Sequence, residues 1–159
     1  MNQGKLAHRL KEFYILETFQ VKYYSAQLST SPDEYYRKAF DKMVSIESEH
    51  VDYFAQKLVE EGIELPQIVE PVFKMAGKLL GESVEFTGPF NTLRLGIKLE
   101  SRAIEKYRYF ILKGWGDQGL REKLMDHLLD EEYHTLWMQD YLRHLFPAPN
   151  SSIGFHLFQ

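Results

Sequence analysis

Six side chains in this sequence have the types and spacing to hold metal ions: Glu17, Glu47, His50, Glu100, Glu131 and His134. Glu-x-x-His occurs twice, at Glu47/His50 and at Glu131/His134. On a helix, residues three apart lie one turn along the same face, so such a pair can offer a carboxylate oxygen and an imidazole nitrogen to one ion. One copy alone is weak evidence, because glutamate is common in helices. The paired pattern is stronger. Glu17 stands 30 residues before Glu47, and Glu100 stands 31 before Glu131. Each follows a leucine, and each is followed seven residues later by a tyrosine, Tyr24 and Tyr107. Seven residues is roughly two helical turns, so each tyrosine shares a face with its glutamate and is a candidate to hydrogen-bond the ligand carboxylates.

The chemistry accounts for the residue types. Two divalent ions about 3.5–4 Å apart repel one another, and carboxylates lower that cost by charge and by bridging. Four carboxylates offset the charge of two divalent ions, and each histidine completes one of them. The expected arrangement has Glu47 and Glu131 bridging and Glu17 and Glu100 terminal, one per metal. Asp130 precedes Glu131 and can accept the second ring N–H of a histidine, His50 being the candidate. No acid occupies the matching position, Ile46. His8, His127, His144 and His156 show no partner pattern and read as surface residues.

These side chains need helices to position them. Helical periodicity covers about Lys5 to Leu28, Pro32 to Glu61, Pro89 to Gly114, and Gln118–Leu120 to just before Pro147. Each helix is roughly 25–30 residues, about 40 Å long. Ser31 suits an N-cap, with Pro32 at the first helical position, and Gly62 suits a stop. Nothing alternates in the manner of a strand. Short links join helices one and two and helices three and four, so each pair should form an antiparallel hairpin. About 27 residues separate helices two and three. They include an amphipathic stretch through Val69, Val72, Phe73, Ala76, Leu79 and Leu80. The second hairpin repeats the ligand positions of the first at an offset of 83 to 84 residues. The expectation is an all-α four-helix bundle over residues 1–146, two antiparallel hairpins with a long crossover, and a tail over 147–159. That tail carries Ile153, Phe155, Leu157 and Phe158 and should dock on the bundle or on a neighbouring subunit.

Bulk properties narrow the function. A net charge of −4 with scattered lysines and arginines argues against a nucleic-acid partner. The absence of cysteine removes disulfides, thiolate metal sites and a thiol nucleophile. It is compatible with a reducing cytoplasm, the expected location. The polar first ten residues do not read as a signal peptide, and no apolar run approaches the roughly 20 residues of a spanning helix.

The six ligands and their order resemble the ferritin-like di-iron carboxylate superfamily, which includes bacterioferritin, rubrerythrin and demethoxyubiquinone hydroxylase. The resemblance runs from about Lys5 to Leu145. Leu95-Gly96-Ile97-Lys98-Leu99-Glu100 with Ala103-Ile104-Glu105-Lys106-Tyr107 resembles a rubrerythrin-type domain. That resemblance implies two iron ions, or two manganese ions, and an oxidoreductase reacting with dioxygen or peroxide. It also implies a homo-oligomer such as a dimer. The chain departs from the family in two places. It has no rubredoxin module, and Ala103 stands where rubrerythrins often carry a further carboxylate. The ligand set is also that of bacterioferritin, but Ser48 stands where that family has its haem-ligating methionine, so no haem is expected. Leu79-Leu80-Gly81 and the repeated motif resemble demethoxyubiquinone hydroxylase. This keeps open a monooxygenase acting on an apolar quinone-like substrate, with membrane-surface contact. The residues are also compatible with a non-enzymatic iron-handling oligomer and with a metal-free bundle.

Overall fold

The computed structural model describes residues 3–30, 33–68, 74, 88–113 and 118–147. These residues form four long helices, α1 (Gln3–Thr30), α2 (Glu34–Glu60), α3 (Gly88–Leu112) and α4 (Gln118–Leu145). There is no strand among them.

Local sequence sets the helix ends. The N-cap of α2 is Asp33, whose carboxylate accepts the Tyr36 backbone N–H at 3.0 Å. The cap therefore lies two residues beyond the expected Ser31, and the helix starts at Glu34 rather than Pro32. Asp33 is the better choice because its charge also meets the positive end of the helix dipole. At the other end the expected stop at Gly62 holds. Gly62 takes φ +69°, a conformation that costs glycine little. Its N–H bonds the Val59 carbonyl and the Ile63 N–H bonds that of Leu58, a Schellman closure.

Pairings across the bundle fix its topology. Phe13 stacks on Phe54, Glu17 meets His50, Gln20 meets Glu47, and Tyr24 meets Phe40. One number rises as the other falls, so α1 and α2 are antiparallel. Glu100 with His134 and Tyr107 with His127 give the same result for α3 and α4. Phe13 with Phe110 and Tyr23 with Thr92 set α1 antiparallel to α3. Phe40 with Trp137 and His50 with His127 set α2 antiparallel to α4. It follows that α2 and α3 run in the same direction. The end of α2 and the start of α3 therefore lie at opposite ends of the bundle, roughly 40 Å apart, a span that a short turn cannot cover and about 27 residues can. The amphipathic part of that crossover, Val69 to Leu80, lies outside the described residues, as does the tail from residue 148 onward.

The core has two apolar clusters. One gathers Phe19, Tyr23, Tyr24, Phe40, Leu99 and Met138 among others. The other gathers Leu10, Phe13, Leu16, Phe54, Tyr107 and Leu124 among others. On every helix the expected ligands fall between members of the two clusters, so the carboxylates form a polar layer between two apolar ones. Gly96 permits one close approach. A Cβ there would lie 2.6 Å from Met138 Sδ and 3.0 Å from the Tyr23 hydroxyl. The bare backbone lets Tyr23 reach the Thr92 carbonyl.

Candidate metal centre

All six expected ligands meet in the middle of the bundle. Glu17, Glu47, Glu100 and Glu131 are fully buried, and His50 and His134 nearly so. Donor atoms of Glu17, Glu47, His50 and Glu131 lie within 4.8 Å of one another, as do those of Glu47, Glu100, Glu131 and His134. The two groups share Glu47 and Glu131. Two carboxylates are thus common to both groups, and each group adds one private Glu–His pair.

The imidazoles face this cluster through Nδ1. His50 Nδ1 lies 3.2 Å from Glu47, 3.4 Å from Glu17 and 3.5 Å from Glu131. His134 Nδ1 lies 2.9 Å from Glu47 and 3.7 Å from Glu100, in both cases without hydrogen-bonding alignment. The outer nitrogen of His50 is 3.2 Å from Asp130, which is part-exposed. A carboxylate can only accept, so this Nε2 carries the proton and Nδ1 is left to bind an ion. Asp130 thus occupies the place expected for it.

The tyrosines divide. The Tyr107 hydroxyl donates to Glu17 at 2.7 Å. Burial, with Glu17 beside it, pushes the Tyr107 phenol well above its usual range, so it remains a donor. Tyr24 is equally buried, but its hydroxyl has no hydrogen-bond partner among the described residues. Its ring stands edge-on to His134, with centroids 6.0 Å apart.

Two neighbours were not foreseen. His127, expected on the surface, is buried, with its ring stacked on His50 at 3.8 Å. Since the Tyr107 hydroxyl proton goes to Glu17, the 3.3 Å contact must be His127 Nδ1–H donating to the hydroxyl oxygen. Burial and the adjacent His50 push the His127 pKa down to about 2, so this ring is neutral. Gln20 is fully buried and donates its amide to Glu131 at 2.9 Å, with Glu47 at 3.5 Å. Helical spacing could have found both, because Gln20 is three residues after Glu17 and His127 four before Glu131. His8 is exposed as expected, as is His144, while His156 lies outside the described residues.

The electrostatics of the bare donor set show what it lacks. Burial, joined by the nearby Glu47 charge, raises the Glu17 carboxyl to about 8 against the lowering pull of His50. Burial and the charges of Glu100, Glu47 and Glu17 push Glu131 well up. Burial alone would raise Glu47 too, but it lies between the two imidazoles and is held below the usual carboxylate range. Burial would lower His134, yet Glu100 and Glu47 beside it hold it up at about 10. Burial likewise opposes protonation of His50, and Asp130, Glu131, Glu17 and Glu47 overcome it. Protons therefore supply the positive charge that four buried carboxylates require. Even so, both oxygens of Glu100, one each of Glu47 and Glu131, and both nitrogens of His134 have no hydrogen-bond partner among the described residues. Orphaned buried acceptors of this kind are costly in a protein interior. Bound metal would satisfy those that face the cluster, though not the outer His134 Nε2, and the buried carboxylate and histidine groups fit iron binding.

No protein-family model matches this chain, and no curated protein matches it in sequence. Its structure superposes on a dodecameric thioferritin, the bacterioferritin-related protein from Bacteroides fragilis, with a TM-score of 0.70. The match covers 91% of this chain and 88% of that one. The fold is ferritin-like. At 17% identity the likeness is one of architecture, so the case for metal rests on the donor set. Within the ferritin-like bundle that set sits at mid-height, one donor or donor pair per helix. Among the described residues no helix is long and apolar enough to cross a membrane.

Proposed function

We propose that this chain binds two iron ions in its bundle core and acts as a di-iron oxidoreductase toward dioxygen or peroxide. The observation that carries the reading is the pair of four-residue donor groups joined through Glu47 and Glu131. In this reading Glu47 and Glu131 bridge the ions. Glu17 and His50 complete one position, and Glu100 and His134 the other. Bound iron would supply the one-electron redox chemistry that side chains of this composition lack. The protein's own part is to hold the donors in place and keep water out. Asp130 fixes the His50 ring, Tyr107 holds Glu17, and Gln20 ties Glu131. The two apolar clusters seal the layer from both ends.

The test begins with elemental analysis of protein purified without chelators, followed by an anaerobic ferrous titration and exposure to air. Two irons per chain and a ferric absorbance under air are expected. No metal and no uptake would sink the reading.

A second reading is a non-enzymatic, iron-handling homo-oligomer. It is supported by the architectural likeness to a thioferritin that forms a dodecamer. Repeated ferrous additions distinguish the two, since an enzyme turns over with a reductant and a carrier saturates.

A further inference from the structure

The internal repeat makes the two ion positions near-equivalent in ligands: Glu17 with Glu100, Glu47 with Glu131, and His50 with His134. Their supporting residues are not equivalent. The offset that pairs the ligands also pairs Asp130 with Ile46, His127 with Met43 and Gln20 with Ala103. In each pair one member can hydrogen-bond and the other is apolar.

We propose that the two positions are unequal: the Glu17/His50 position retains its ion, and the Glu100/His134 position exchanges it. The proposal rests on the binuclear reading above.

Around the first position every private ligand is held from behind. His50 Nε2 bonds Asp130 at 3.2 Å. Glu17 accepts from the Tyr107 hydroxyl at 2.7 Å, and that hydroxyl is itself held by His127 at 3.3 Å. The His127 ring also stacks on His50 at 3.8 Å, which limits its rotation.

Around the second position the same places are vacant of partners among the described residues. His134 Nε2 is buried with no hydrogen bond. The residue matching Asp130 is Ile46, whose hydrocarbon cannot accept. Both Glu100 oxygens and the Tyr24 hydroxyl are also without hydrogen bonds. Tyr24 matches Tyr107 in the repeat, but where His127 would support it stands Met43.

An acceptor behind a ligating imidazole fixes its tautomer and orientation and raises its basicity. Losing such a partner typically costs 10–100-fold in metal affinity. The Glu100/His134 ion is therefore expected to bind on the order of 10–100-fold more weakly than its neighbour. It would arrive second and leave first, the behaviour of a passing ion beside a resident one.

The experiment is an anaerobic titration of the chelator-stripped full chain with Co(II), followed by visible absorption and calorimetry. Wild type should show two steps separated by about 10–100-fold. Asp130→Asn should weaken the tighter step and narrow the gap. Ile46→Asp, which places a carboxylate at the matching position, should tighten the weaker step and leave the tighter one in place. Far-ultraviolet circular dichroism checks that each variant is folded. Two equal steps in wild type would overturn the inequality while leaving the binuclear site intact. So would an unchanged tighter step in Asp130→Asn, whether or not Ile46→Asp folds. No cobalt uptake at all would instead remove the binuclear reading itself.

Discussion

The ligand layer and the apolar clusters on either side of it occupy the same bundle and are equally buried, yet they obey opposite rules. In the cluster around Phe13, rings pack tightly. Phe13 stacks on Phe54 at 5.0 Å and on Tyr107 at 4.5 Å. Burial there stabilises the fold directly, because apolar surface leaves water. A helical turn away, Glu17, Glu47, Glu100 and Glu131 are just as inaccessible. Their burial opposes folding unless protons or metal ions neutralise them. The clusters hold the bundle together, and the layer between them works against it.

Emptying the layer should separate the two regions most clearly. Replacing both Glu47 and Glu131 with Ala should abolish binding of two ions, because each belongs to both donor groups. The apolar clusters should still hold the fold, at some cost where Glu47 no longer sits between His50 and His134. Elemental analysis and a thermal melt of the metal-free double variant decide the point. Tight retention of two ions would refute the ligand assignment.

The opposite substitution lies in the cluster. Phe54→Ala removes a fully buried ring that packs on Phe13, Tyr107 and His127. A loss of about 3–5 kcal/mol in unfolding free energy is expected, from lost transfer energy and the cavity left behind. Denaturant titration of the metal-free protein measures it. A loss below about 1 kcal/mol would mean that the cluster does not carry the stability assigned to it.

How far the two regions could be read from sequence follows the same division. The clustering of the six side chains was legible because metal chemistry restricts residue type and because the hairpin repeat states the pattern twice. The helices were legible to within a few residues from apolar periodicity and from Gly62. The supports behind the ligands were not. Gln20 and His127 have no counterpart in the repeat, so symmetry passes over them. The same symmetry sets Tyr24 equal to Tyr107, although only Tyr107 finds a carboxylate. The cap at Asp33 is hidden because Ser31 and Pro32 form a familiar start signal, and the charged side chain two residues on outcompetes it.

The layer should also give the metal-free protein a distinctive pH dependence. Glu17 is raised to about 8 from 4.5, and His134 to about 10 from 6.5. Both are upward shifts. Each contribution to stability is complete below the unfolded value and is lost as pH climbs through the folded one. Glu47 shifts downward and acts in the opposite sense only at acid pH. The melting temperature of chelated protein should therefore fall as pH rises from 7 to 10. Metal ions need deprotonated ligands, so the loaded protein should lose this dependence. Parallel melting curves for the two forms across that range would refute the assignment of the shifts to the metal layer.

The smallest effect tests whether the ends of the bundle are independent of its middle. Asp33→Ala removes the carboxylate that accepts the Tyr36 N–H, leaving a helix N-terminus without its cap. A cost of about 1 kcal/mol is expected. Metal stoichiometry and both binding constants should be unchanged, because the cap lies about four helical turns from Glu47 on the same helix. A cap loss that also weakened metal binding would mean that α2 shifts as a rigid rod, and that the ligand layer depends on the helix end as well as on the rings packed beside it.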